Sequence, residues 1–192
     1  MKSGIARGLG CLVFALVLSG CAQWSLMGQG RSQGSPVSFE MLGRVYVRFG
    51  PQAFSGSLRW RHDDLTDEVW LGGPLGQTAA HIVRDSTGAT LTTADQQTYQ
   101  SMSIEALTKD GLGWSLPLAD LSYYVLGDVP PDSIGTAERD SAGRITRLER
   151  DGWAVRWTPR EMAALGPAIL RLDLRKGEVE IRLVIDQLQQ AD

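Results

Sequence analysis

The chain is poor in the residues that catalysis, metal binding and cross-linking draw on. Its 192 residues hold two cysteines, Cys11 and Cys21, and two histidines, His62 and His81. No His-x-x-x-His pair can form, so a zinc site would rest mostly on carboxylates. There is no phosphate-binding loop and no Ser-x-x-Lys. Basic residues are in the minority, 19 Lys and Arg against 22 Asp and Glu. A protein that grips nucleic acid needs a basic face, so nucleic acid is excluded as a partner. Past the first twenty residues no apolar run approaches the roughly 20 residues needed to span a bilayer. These absences point away from an enzyme and from any metal or cofactor.

What is present begins at the N-terminus. Lys2 and Arg7 precede the apolar run Leu12-Val13-Phe14-Ala15-Leu16-Val17-Leu18, and no acid interrupts them. A charged start and a short apolar stretch make a secretory signal, not a transmembrane helix. The run ends Leu18-Ser19-Gly20-Cys21, a lipobox: a branched apolar residue, two small residues that admit a peptidase, and the thiol that takes the lipid. Residues 1–20 therefore read as a removable signal and Cys21 as the lipidated N-terminus. Ala22, where an Asp would retain a lipoprotein in the inner membrane, directs the chain to the outer membrane, facing the periplasm. Cys11 leaves with the signal, so the mature body has no free thiol and no disulfide. Lys2 and Arg7 leave too, with no acid, and the formal charge moves from −3 to −5. Residues 21–37, with Gly28-Gln29-Gly30-Arg31-Ser32-Gln33-Gly34, read as a flexible tether.

Residues 38–192 form one domain of alternating strands. Phe39, Met41, Val45, Val47 and Phe49 share one parity against Glu40, Arg44 and Arg48. Phe54, Leu58 and Trp60 do the same, with Gly50-Pro51 as the hairpin between the two runs. Arg61-His62-Asp63-Asp64 reads as a turn, and strands are expected over 68–71, 77–84 and, more weakly, 89–93. The middle differs. Residues 101–110 suggest a helix with a Ser cap and Gly111 as its stop, and Pro117 starts a second helix to Leu126. Leu118, Leu121, Tyr124 and Val125 belong to that second helix. Strands return over 144–150, 153–157, 170–175 and 179–185, with Asp151-Gly152 as a hairpin turn.

The expected fold is mainly β (α+β). A sheet apolar on one face must curl or be covered. Two short helices cannot cover so many strands, so a single curved antiparallel sheet should form an incomplete β-barrel with the helices as a lid over an apolar interior. Asp63-Asp64 and Asp67-Glu68 read as solvated acids near a turn. His81 is the histidine placed for a His-based hydrolase, though a polar-face residue is the plainer reading.

Several segments together resemble the outer-membrane lipoprotein receptor family LolB. They are Phe39-Glu40-Met41-Leu42-Gly43-Arg44-Val45-Tyr46-Val47, Ser57-Leu58-Arg59-Trp60, Gly73-Pro74-Leu75-Gly76, Leu112-Gly113-Trp114-Ser115-Leu116-Pro117-Leu118, Asp151-Gly152-Trp153-Ala154-Val155 and Arg182-Leu183-Val184-Ile185-Asp186. The chain departs from the family at Tyr124, where Trp is usual, and near Leu188, where Trp is frequent. The resemblance implies a monomer that takes lipoproteins, by their acylated N-termini, from the soluble periplasmic carrier LolA and passes them to outer-membrane phospholipid. It implies that Leu75 protrudes from a membrane-insertion loop with Pro74 and Gly76. The acyl-chain cavity is then assigned to Val45, Val47, Leu58, Trp60, Trp70, Trp153, Leu172, Ile181 and Leu183, and Arg44 to the surface or rim. An accessory lipoprotein that binds a protein partner without carrying lipid is the alternative function.

Overall fold

A computed structural model describes residues 37–131, 136–159 and 169–190. Cys21 and almost all of the tether lie outside them. Among the described residues eleven strands and two helices follow one another: β1 (Phe39–Phe49), β2 (Gln52–His62), β3 (Asp67–Gly72), β4 (Thr78–Asp85), β5 (Gly88–Thr93), β6 (Thr98–Ser101), α1 (Ile104–Leu112), α2 (Leu118–Tyr124), β7 (Thr136–Arg139), β8 (Ile145–Arg150), β9 (Trp153–Pro159), β10 (Ile169–Lys176) and β11 (Val179–Gln190).

All strands join one antiparallel sheet in the order β6-β5-β4-β3-β2-β1-β11-β10-β9-β8-β7. The first and last strands of the chain pair at the centre, Phe49 opposite Val179 and Phe39 opposite Gln190. The two edges, β6 and β7, are therefore the strands that flank the helices in sequence, and they do not pair with each other. The barrel is incomplete, as expected, and the helices are inserted at its gap.

Alternation explains the sheet's two faces. Along β1, Phe39, Met41, Val45 and Val47 are buried while Arg44 and Arg48 are exposed. Residues two apart share a face, so one apolar parity yields one apolar face. Gly50-Pro51 links β1 to β2 with Phe49 opposite Gln52. Asp151 and Gly152 both take positive φ, as the tight turn between β8 and β9 demands.

The helices close over the inner face. Ser103 caps α1, accepting from the Ala106 amide. Its stop is Gly113, in the left-handed region, and not Gly111. Gly111 sits inside the helix because the helix approaches the sheet there: a Cβ would lie 2.3 Å from Leu91 Cδ2. The α1–α2 connector is tied back through the Thr108 hydroxyl, which accepts from the Leu116 amide at 2.9 Å. Ile104, Leu107, Trp114, Leu116, Leu118, Leu121, Tyr124 and Val125 are buried against the sheet.

Candidate functional site: the lidded interior and its open rim

The interior is apolar and nearly full. Under the lid a void of about 20 Å³ is bordered by Val45, Leu58, Trp60, Ile181 and Leu183, with Val69 and Leu71 beside them. Trp114, Leu116, Leu118 and Leu121 complete it from the helix side. Val47, Trp153 and Leu172 are buried on the same face without bordering the void. Trp70 is a correction. Within β3, Asp67, Val69 and Leu71 point inward and Trp70 points out. It stacks on His81 with ring centroids 5.2 Å apart, and the Arg59 and Arg61 guanidinium groups lie over it.

The lid is held by few polar bonds. Trp157 Nε1 donates to the Tyr124 carbonyl at 2.8 Å, and the two rings meet edge to face. Arg150 pairs with Asp120 of α2 at 3.2 Å. Burial pushes the Tyr124 phenol well above its ordinary pKa, with the Asp120 carboxylate adding to it, so the hydroxyl stays protonated. Much of the rest of the lid contact is made by the apolar side chains Ile104, Leu107, Leu116, Leu118 and Leu121, and such contacts can separate without leaving buried polar groups unpaired.

At one end of the sheet the chain turns through Gly73-Pro74-Leu75-Gly76. Gly76 N donates to Gly73 O at 3.0 Å and Gly73 N to Gln77 O at 2.7 Å, closing a tight turn. Pro74 supplies the fixed φ and Gly76 the positive one, +82°. Leu75 is left at the tip, 92% exposed. Beside it opens a groove of about 420 Å³ lined by Phe49, Phe54, Tyr99 and Leu112, among others. Leu71 and Trp114 border both this groove and the void under the lid.

The opposite end carries a cluster that the alternation did not anticipate. Asp67 is 1% exposed, not solvated, and His62 is 5% exposed at the end of β2, not in a turn. Asp67 Oδ1 accepts from Trp60 Nε1 at 2.8 Å and lies 2.7 Å from His62 Nδ1. Its Oδ2 pairs with Arg84. Phe39 packs edge-on to Trp60 with centroids 4.9 Å apart. Only Nε2 of His62 has no partner among the buried side-chain atoms described. The signal was present in the sequence: His62 continues the parity of Leu58 and Trp60, and Asp67 that of Val69 and Leu71.

The remaining assignments separate. Arg44 is exposed and pairs with Asp186 at 2.9 Å. His81 bonds Glu68 at 3.0 Å, and no serine bonds it among the described residues. The letters Gly30-Arg31-Ser32-Gln33-Gly34 fit Gly-x-Ser-x-Gly, which needs a strand-to-helix elbow, but they lie outside the described residues. Among the described residues no three His, Cys, Asp or Glu come together as a metal site.

A half-barrel whose apolar interior is covered by two helices is an architecture suited to enclosing apolar ligands. The comparisons narrow it. The family model for the outer membrane lipoprotein LolB matches residues 37–187, and the chain belongs to that family. The outer-membrane lipoprotein LolB of Nitrosomonas europaea is 37% identical over 153 residues, covering 79% of this chain and 72% of that one. That of Azoarcus sp. strain BH72 is 35% identical over 181 residues, 93% and 92% of the two chains. A solved structure of a LolA superfamily protein from Nitrosomonas europaea aligns with a TM-score of 0.47 at 8% identity, over 83% of this chain and 89% of that one.

Proposed function

We propose that the protein, moored at the outer membrane through Cys21, accepts lipoproteins from the periplasmic carrier LolA and releases them into outer-membrane phospholipid. The observation that carries this reading is the exposed Leu75 at the end of the sheet where an apolar groove shares Leu71 and Trp114 with the lidded interior. The physical need is large. At about 0.8 kcal/mol per methylene, exposing acyl chains to water costs tens of kcal/mol, so cargo must pass from one apolar enclosure to the next. A void of about 20 Å³ holds no acyl chain. Loading must displace α1 and α2, whose inner faces then line the space they vacate. One leucine entering lipid gains about 1.5–3 kcal/mol, enough for a transient touch and too little for an anchor.

The filled interior also suits an accessory lipoprotein that carries no lipid. The exposed leucine beside an apolar groove does not. Transfer in vitro decides between them. A carrier–lipoprotein complex is mixed with the mature chain bearing Cys21→Ala, and cargo should move to it, because the interior does the binding and the lipid only moors. Cargo that stays on the carrier would refute the acceptor reading and leave the accessory one standing.

A further inference from the structure

The outer face of β8, β9 and β10 has a charge pattern that the handling of acyl chains does not use. The chain as a whole is acidic, yet this face is dominated by arginine. A cleft of about 240 Å³ there is lined by Arg147, Arg156, Arg171 and Arg175, with Asp173 as its acid. That acid is already engaged. Arg171 binds it through two nitrogens at 2.7 and 2.8 Å, and Arg182 reaches it at 3.0 Å. Arg175 shares Glu180 with Arg48, each at 3.0 Å. Burial raises the Asp173 carboxyl, but the bonds from Arg171 and Arg182 outweigh it and hold it below the ordinary range. Both acids are therefore charged and shared among other arginines.

Arg156 faces Asp173 on one side in register and Arg147 on the other. It makes no ion pair among the described residues. Arg147 reaches Glu149, a pair exposed on both sides. Like charges directly opposite in an antiparallel pair are destabilising, and the acid opposite Arg156 on its other side, Asp173, is already shared by Arg171 and Arg182. Guanidinium groups converging on a cleft match the geometry of a phosphate, which accepts from each in two places.

We propose that this arginine cleft is a phosphate-binding site occupied by the headgroup of an anionic phospholipid. A chain tethered to a membrane meets that phosphate at far higher local concentration than a soluble one. The site lies on the outer face of β8–β10, away from the β3–β4 turn that bears Leu75. It would be a membrane contact separate from Leu75 and independent of whether the interior carries cargo.

The test uses the mature chain with Cys21→Ala, so that the anchor does not dominate binding. Its partition onto vesicles of phosphatidylethanolamine with phosphatidylglycerol is compared with that of Arg147→Gln/Arg156→Gln. Each arginine removed should weaken partition about five-fold at low salt, and added salt should erase the difference. Vesicles of phosphatidylethanolamine alone should not distinguish the two. The variant's Tm should stay close to the parent's, because the Arg147–Glu149 pair that it loses is exposed on both sides. Arg156→Gln alone, which loses no ion pair, serves as a second variant. Equal partition of parent and variants onto the anionic vesicles would overturn the proposal. Inorganic phosphate shifting the arginine side-chain resonances without any difference in partition would overturn the headgroup assignment in favour of a soluble oxyanion. A variant weakened only toward the carrier would overturn it in favour of an acidic protein surface. None of these outcomes touches cargo transfer, which is read separately.

Discussion

The two ends of the sheet are built on opposite principles. At one end Phe39, Trp60, His62, Asp67 and Arg84 form a row across neighbouring strands, with a buried carboxylate bonded by three side chains. At the other, Phe49, Phe54, Tyr99 and Leu112 line an open groove, and Leu75 stands clear of the fold. Leu65 and Met102 are exposed at the first end too; Met102 borders a cleft of about 360 Å³ there, but one lined largely by polar residues, Asp85, Thr87, Thr90 and Gln100 among them. A buried polar network fixes one arrangement, because each member left unpaired is costly. Apolar contacts carry no such directional demand. The difference separates rigidity from access: the interior is pinned where Asp67 sits and free to open where Trp114 and Leu71 meet the groove. Under the proposed function, cargo enters and leaves by one end.

The largest effect is expected from breaking the pinned end. Asp67→Ala leaves the buried Trp60 indole N–H and His62 Nδ1 without their partner, and Arg84, a third exposed, without its acid. With Arg84 able to reach solvent, the loss should be about 3 kcal/mol, the low end for a buried pair. Urea denaturation of the mature chain should show a loss of that size. A loss below about 1 kcal/mol, the level of a surface pair, would mean that the end is sealed by Phe39 and Trp60 packing alone. Pairing the change with Trp60→Phe should give a non-additive result, because the indole N–H and the carboxylate are one interaction.

The ends also differ in how well the sequence announced them. At the open end the turn was legible, because Gly-Pro-Leu-Gly is a turn by chemistry, whereas the protrusion of Leu75 followed only from the family resemblance and the groove was not announced. Legible too were β1, β2 and most of β8 to β11, whose alternation is long and clean. The sealed end was misread because polar letters near a turn look solvated. Parity held the answer, since His62 and Asp67 each continue an inward row. Trp70 failed in the opposite sense. Its size suggested interior wall, while its parity with Glu68 placed it outside. The short edge strands β6 and β7, four residues each and mostly polar, carry no periodicity long enough to detect. The helix stop moved from Gly111 to Gly113 because a glycine also serves where a helix must come close to a sheet.

A smaller effect is expected where the lid meets the sheet. Trp157→Phe removes the bond to the Tyr124 carbonyl while keeping an aromatic ring against it. The Tyr124 carbonyl keeps the Gly127 amide at 3.1 Å, so the loss is that of one hydrogen bond, about 0.5–1.5 kcal/mol, and much of it falls on the closed form alone. The open form should gain population, read as faster uptake of a fluorescent fatty-acyl probe together with a modest fall in Tm. A fall in Tm with unchanged uptake would place the rate-limiting step elsewhere and would weaken the division into a pinned end and a freed one.

The smallest effect on the fold is expected from Leu75→Glu. The side chain is 92% exposed and its turn is held by backbone bonds, so stability should stay within about 0.5 kcal/mol of the parent. Its effect on function should be the reverse. A charged tip forfeits the gain of placing a leucine in lipid and meets repulsion from anionic headgroups, so cargo should load normally from the carrier yet enter liposomes slowly. Equal insertion by variant and parent would remove Leu75 from the mechanism and leave the groove as an entrance only. Loss of loading as well as insertion would make the turn part of the carrier's docking surface. The expected split, with loading kept and insertion slowed, assigns the groove to taking cargo in and the leucine beside it to letting it go.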